Sequence, residues 1–234
     1  MPQRRMPLSL IDQCLDTNGL WSQLFGHASQ FLGRGALFLD RDGVIVQEVN
    51  YLHRSQDVRM INGVGEVIHR ANQAGIPVIV ITNQAGIGRR YYAWEQFVEV
   101  QEQIAAELAV HNAKIDAVFA CPHHVDARAP YQHDDHPARK PNPGMMYMAR
   151  DSFGIALERS WIVGDRAIDI RAGRNAGLMG GTHVRTGHGG RVNERETALA
   201  LATDTFQVRA AESIADLLRD TTLFKGLLAA DQRQ

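Results

Sequence analysis

Apolar and polar positions alternate in blocks along this chain of 234 residues. Five short stretches, at 36–39, 77–81, 116–120, 160–163 and 178–184, are mainly apolar rather than alternating, with Asp116, Ser160, Thr182 and His183 as their polar members. Runs of that length and kind predict strands buried on both faces, as in a parallel sheet. Helical periodicity fills the gaps between them. Val64, Val67, Ile68 and Ala71 share one face of a predicted helix over 63–74, closed by Gly75. Phe97, Val100, Ile104 and Leu108 do the same over 94–110. A helix over 143–153 has Pro143 in its first turn and Gly154 at its end, and one over 168–176 is closed by Gly177. Strand and helix alternate, which implies an α/β fold: a parallel sheet with helices on both faces and right-handed crossovers.

The ends of the chain are less regular. Leu8, Ile11, Leu15, Leu20, Leu24 and Phe25 predict one or two short helices, so residues 1–35 are expected to be a helical extension packed on the core. Residues 36–234 are expected to form a single domain. After Thr186 comes a glycine-bearing loop with Gly187, Gly189 and Gly190, then a last amphipathic helix carrying Ile214, Leu217 and Leu218 toward Leu228. Residues 44–60 predict a loop or small hairpin folding back over the first strand.

Composition narrows the class. Lys and Arg number 25 against 26 Asp and Glu, which argues against a generic nucleic-acid binder. Two cysteines, Cys14 and Cys121, make no disulfide framework and fit a reducing compartment. Asp12, Gln13, Asp16 and Asn18 interrupt the early apolar positions, so no signal peptide is expected. No run of about 18 apolar residues exists to span a membrane. The expectation is a cytoplasmic protein, monomeric, with a small-molecule partner.

Chemistry gathers where strands end. The first run leads into Asp40 and Asp42, spaced one apart, then Gly43. In extended chain these carboxylates point the same way and repel unless a cation lies between them. A hard divalent ion is the natural candidate; a solvated turn is the bland alternative. The second strand ends in Thr82 and Asn83, the third leads to Arg139 and Lys140, and the fourth ends in Asp165 with Asp169 four residues on. Asp165 and Asp169 repel across one turn of a helix start, unless they cap it or share a cation. In a parallel sheet such ends converge on one crevice.

Taken in order, Asp40-Arg41-Asp42-Gly43-Val44, Thr82-Asn83, Lys140-Pro141 and Gly164-Asp165-Arg166-Ala167-Ile168-Asp169 resemble the four motifs of the haloacid-dehalogenase-like phosphohydrolases. The resemblance runs from Ala36 to about Thr186. Thr82-Asn83-Gln84-Ala85-Gly86-Ile87, Cys121-Pro122-His123-His124 and Arg139-Lys140-Pro141-Asn142-Pro143-Gly144-Met145 are similar to the branch containing heptose-bisphosphate and histidinol-phosphate phosphatases. The resemblance implies a Rossmann-like three-layer sandwich, strand order 5-4-1-2-3 among the five predicted strands, and no large cap domain.

It also implies a mechanism. Asp40 is expected as the nucleophile of an aspartyl phosphate, and Asp42 as general acid and base. Magnesium is expected on Asp40, the Asp42 carbonyl and Asp165, with Asp169 orienting that shell. Thr82 and Asn83 would hold phosphoryl oxygens, and Lys140 would neutralise charge. Substrate contacts map to Glu48, Asn50, Tyr51, Gln84 and Ala85. Arg89, Arg139 and Arg166 are further candidates, since arginine suits forked contacts to phosphate; ordinary surface charge is the alternative for Arg89 and Arg166. The branch's structural zinc has the pattern Cys-x-His, then Cys-x-Cys. Here Cys121, His123 and His136 fall in place, but Ala138 offers no ligand. His133, His124 or Asp134 would have to supply the fourth, or the loop is held by other contacts.

Overall fold

The computed structural model describes residues 9–26 and 28–228. A seven-stranded sheet forms its middle layer. Along the chain come α1 (Leu10–Cys14), β1 (Trp21–Leu24), β2 (Leu37–Leu39), α2 (Val64–Gln73) and β3 (Val78–Asn83). Then follow α3 (Ala85–Gly88), α4 (Trp94–Ala109), β4 (Ala117–Cys121), α5 (Gly144–Phe153) and β5 (Trp161–Gly164). The chain continues through α6 (Ala167–Ala176), β6 (Gly180–Val184), α7 (Glu194–Leu199), β7 (Gln207–Ala211) and α8 (Thr221–Leu228).

The strand order is β1-β4-β3-β2-β5-β6-β7. All pairings are parallel except β1 with β4. The five predicted strands keep their expected order, and one further strand extends each edge. β2 shows why its residues form a central strand. Leu37 and Leu39 enter one core, while Phe38 between them enters the other, and all three are fully buried. The Leu37 face packs on α2 and α4 through Val67, Ile68, Phe97 and Ile104. The Phe38 face packs on α5 and α6 through Met145, Ala149, Phe153 and Ile170.

The N-terminal extension departs from expectation. Residues 1–8 of it lie outside the described residues. Beyond them it forms one short helix, α1, and then a strand, β1. Trp21 decides this: it is fully buried, stacks on Trp94 at 5.2 Å, and pairs in register with Ala120 of β4. Packing against a sheet edge outweighs the weak helical spacing of its leucines. The tail departs too. β7 was expected to be irregular, and its half-exposed edge position explains why no apolar run announces it. The expected last helix is a 3₁₀ turn at Ile214–Arg219 followed by α8. The 44–60 segment folds back by bridges from Val46 to Asp42 and to Met60. Among the described residues no helix is long and apolar enough to cross a membrane.

Candidate active site

β2, β3 and β5 end side by side, and the Asp40 N–H donates to the Val163 carbonyl of β5 at 3.0 Å. Beyond these ends lies a cavity of about 250 Å³. Every catalytic and substrate-binding candidate lines it: Asp40, Asp42, Thr82, Lys140, Glu48, Asn50, Tyr51, Asn83, Gln84, Ala85, Arg89, Arg139 and Arg166, with Asp165 and Asp169.

Lys140 is the hub. Its Nζ sits 2.7 Å from Asp40 Oδ1 and 2.8 Å from Asp169 Oδ1, and donates to the Ile81 carbonyl at 3.0 Å. Burial alone would lower its pKa; Asp169 and Asp40 overcome that and hold it charged. The loop carrying Lys140 is pinned by Asn83. The Asn83 amide donates to the Lys140 carbonyl, and the Lys140 N–H donates to Asn83 Oδ1, both at 3.1 Å. Asn83 therefore reaches the site as a clamp on Lys140.

Asp40, Asp165 and Asp169 are all buried, and each offers an oxygen within 4.8 Å of the other two. Burial, then the neighbouring carboxylates, push Asp40 up to about 7 and Asp165 up to about 9, with Lys140 opposing in both. Asp165 Oδ2 accepts from the His188 N–H at 2.7 Å, while Oδ1 is buried and unpartnered. A buried carboxylate oxygen without a donor, beside two more carboxylates, is the arrangement a hard divalent cation relieves. Asp169 differs. One oxygen meets Lys140, and the other accepts from the Arg166 N–H at 2.9 Å, capping α6. Asp169 thus caps α6 and lines the cavity at once.

Asp42 points into a different network. Arg41 donates to both its oxygens, at 3.1 and 3.0 Å, and Gln84 Nε2 donates to it at 3.1 Å and to Thr82 Oγ1 at 2.7 Å. The Gln84 carbonyl oxygen accepts from Arg41 and from the Tyr92 hydroxyl. Gln84 is only 2% exposed. Its side chain bonds to protein groups while it lines the cavity.

The cavity's far wall carries charge. The Arg89 guanidinium donates to the Tyr51 hydroxyl and to Asp126. Arg139 donates to the His123 carbonyl at 2.9 Å. Arg166 stands 3.7 Å from Glu194. Asn50 and Tyr51 both have positive φ, 40° and 68°, so this loop bends sharply at the cavity mouth. Sequence reasoning missed Arg41, Tyr92, His124 and His188, which also line the cavity. Arg41 had a signal, since it lies between the paired aspartates. His124 ends the Cys121-Pro122-His123-His124 motif, whereas Tyr92 and His188 come from segments with no motif of their own.

The Cys121 loop does not assemble a zinc site. Among the described residues only Asp40, Asp165 and Asp169 bring three metal-capable side chains within 4.8 Å of one another. Cys121 Sγ does approach His136 Nδ1, at 3.9 Å. However, His123 and His136 lie face to face, 3.9 Å apart and 5° from parallel. Imidazole binds metal in its ring plane, so rings stacked this way aim along parallel directions, not at a shared point. His136 Nδ1 also accepts from the Ala138 N–H at 3.1 Å, and Ala138 is buried where a thiolate would stand. These residues do not fit the four-ligand site the resemblance implied.

Comparisons with known proteins place the chain in a family. A relative from Mesorhizobium japonicum, named D-glycero-beta-D-manno-heptose-1,7-bisphosphate 7-phosphatase, is 39% identical over 163 residues, covering 70% of this chain and 75% of its own. The chain belongs to the HAD-like hydrolases. A family model described as "HAD-hyrolase-like" matches residues 137–217. A crystal structure of a putative HAD-like phosphatase from Mesorhizobium loti is similar with a TM-score of 0.78 and 33% identity, over 92% of this chain and 96% of that one. The D,D-heptose 1,7-bisphosphate phosphatase of B. bronchiseptica, complexed with magnesium and phosphate, is similar with a TM-score of 0.66 and 28% identity, over 80% of this chain and 99% of that one. Among HAD-like hydrolases, then, this chain groups with phosphatases.

Proposed function

We propose that this HAD-like phosphatase hydrolyses the 7-phosphate of D-glycero-D-manno-heptose 1,7-bisphosphate through an aspartyl-phosphate intermediate, with magnesium as cofactor. The observation that carries the chemistry is Lys140 held between Asp40 and Asp169 at 2.7 and 2.8 Å, beside an unpartnered Asp165 oxygen. The names of its relatives and the four arginines lining the cavity support the sugar bisphosphate.

Asp40 Oδ would attack phosphorus as the bond to the sugar oxygen breaks. Asp42 would give that oxygen its proton, then take one from the water that attacks the aspartyl phosphate. Arg41 and Gln84 hold Asp42 in one rotamer, so both transfers start from a fixed geometry. Thr82 Oγ1 would donate to a phosphoryl oxygen. Lys140 stays charged and faces the charge that builds on the phosphorylated aspartate. Asp40, Asp165 and the Asp42 carbonyl would hold magnesium, which when bound supplies the charge that brings anionic nucleophile and phosphate together.

Asp40→Asn is the decisive variant. It is expected to stay folded and to lose turnover of p-nitrophenyl phosphate and of the heptose bisphosphate by more than about a thousandfold. Retained turnover would remove Asp40 as nucleophile and the reading with it.

A further inference from the structure

A loop that lacks the ligands for zinc still has to be held, because it carries Arg139 into the cavity. The N-terminal extension supplies contacts to it. β1 pairs antiparallel with β4 in the register Trp21 to Ala120, so residues 16–20 lie where the Cys121 loop begins. There they close a tight turn. Asp16 Oδ1 accepts from the N–H groups of Asn18 at 2.8 Å and Leu20 at 2.9 Å. The Asp16 N–H donates to the Leu20 carbonyl at 3.0 Å.

This turn grips His123. The Asn18 carbonyl lies 3.0 Å from His123 Nε2. A carbonyl only accepts, so Nε2 carries the proton, and Nδ1 is left as a buried acceptor with no hydrogen-bond partner. Gly19 has φ +74°, and a Cβ there would lie 2.4 Å from the Tyr131 ring. That ring meets His123 edge-on at 5.5 Å, and its hydroxyl accepts from Trp94 Nε1 at 3.2 Å. On its other side His123 stacks on His136. The His123 carbonyl then receives the Arg139 guanidinium.

We propose that the 16–20 turn takes the place of a structural metal in this chain: it fixes His123 without zinc, and through the His123 carbonyl it positions Arg139 in the substrate cavity. The second half rests on the proposed function, in which Arg139 meets a phosphorylated sugar; the first half does not. His123 and Gly19 are positioning residues. They touch no reacting atom.

The first test needs no substrate. The full chain, expressed with added zinc and purified without chelators, is expected to hold less than about a tenth of a zinc per chain by mass spectrometry, and about one per chain would overturn the proposal. The second is kinetic. Wild-type turnover of the heptose bisphosphate is measured first, and its absence would defeat the functional reading alone. Gly19→Ala is expected to raise KM for the bisphosphate about tenfold, the loss of one charge-assisted contact, with kcat and p-nitrophenyl phosphate kinetics unchanged. His123→Phe keeps a ring but loses the donor, and is expected to do the same. His123→Gln restores a donor and is expected to recover part of the loss. An unchanged KM in both Gly19→Ala and His123→Phe, or equal losses on both substrates, would overturn the positioning role.

Discussion

At the scale of single residues, the paired aspartates turn out to serve different neighbourhoods. Asp40 faces Lys140 and the carboxylates, whereas Asp42 faces Arg41 and Gln84. Spacing in the sequence says they share a direction; apart from the adjacent Arg41, the partners each meets lie from 42 positions away (Gln84 from Asp42) to 129 (Asp169 from Asp40). Gln84 shows the same division. Its place in the second motif made it a candidate, but only packing shows it joining Thr82 to Asp42. Gln84→Leu keeps the volume and removes the polar head. It leaves Arg41 and Tyr92 short of an acceptor in a buried site, at a cost of about 1–3 kcal/mol in urea unfolding. It also frees Asp42 to rotate, so kcat for p-nitrophenyl phosphate is expected to fall about tenfold or more while KM changes little. An unchanged kcat would take Gln84 out of the machinery.

At the scale of elements, the central strands were legible and the edge strands were not. β2 through β6 are buried on both faces, so their stretches are mainly apolar, and their order follows from the resemblance. β1 and β7 each pair along one side only, and their residues are mixed in polarity. Nothing local distinguishes such a segment from a loop or a weak helix. β1 depends on one large contact. Trp21 is fully buried, stacks on Trp94 and meets Phe97 edge-on at 5.4 Å. Trp21→Ala is expected to cost about 3–5 kcal/mol in urea unfolding, as cavity-forming aromatic truncations do. A cost under about 1 kcal/mol would mean that the extension adds little to the fold.

At the scale of the whole molecule, the acidic site couples stability, protons and metal. Folding raises the pKa of Asp165 to about 9 and of Asp40 to about 7, above the ordinary carboxylate range, chiefly through burial. The folded state therefore binds more protons than the unfolded one between about pH 4 and pH 9. Its stability falls as pH climbs through that window. A divalent cation replaces those protons, so its affinity rises with pH. In chelator, the thermal midpoint is expected to drop between about pH 6 and pH 9, and added magnesium is expected to recover more of it at the higher pH. A magnesium gain that shrank as pH rose would contradict this coupling.

The residues by themselves determined the α/β class, the central strands and the candidates that line the cavity, because buried parallel strands and motif chemistry both leave local marks in a chain. Tertiary structure decided what has no local mark. It turned a weakly helical extension into an edge strand, because a tryptophan found a sheet edge to fill. It tied Gln84, at the cavity wall, to Asp42, Thr82, Arg41 and Tyr92. It also decided the fate of the Cys121 loop, where the ligand pattern was three-quarters present. Stacked rings direct their nitrogens along parallel lines, and no arrangement of letters in a sequence shows which way a ring will face.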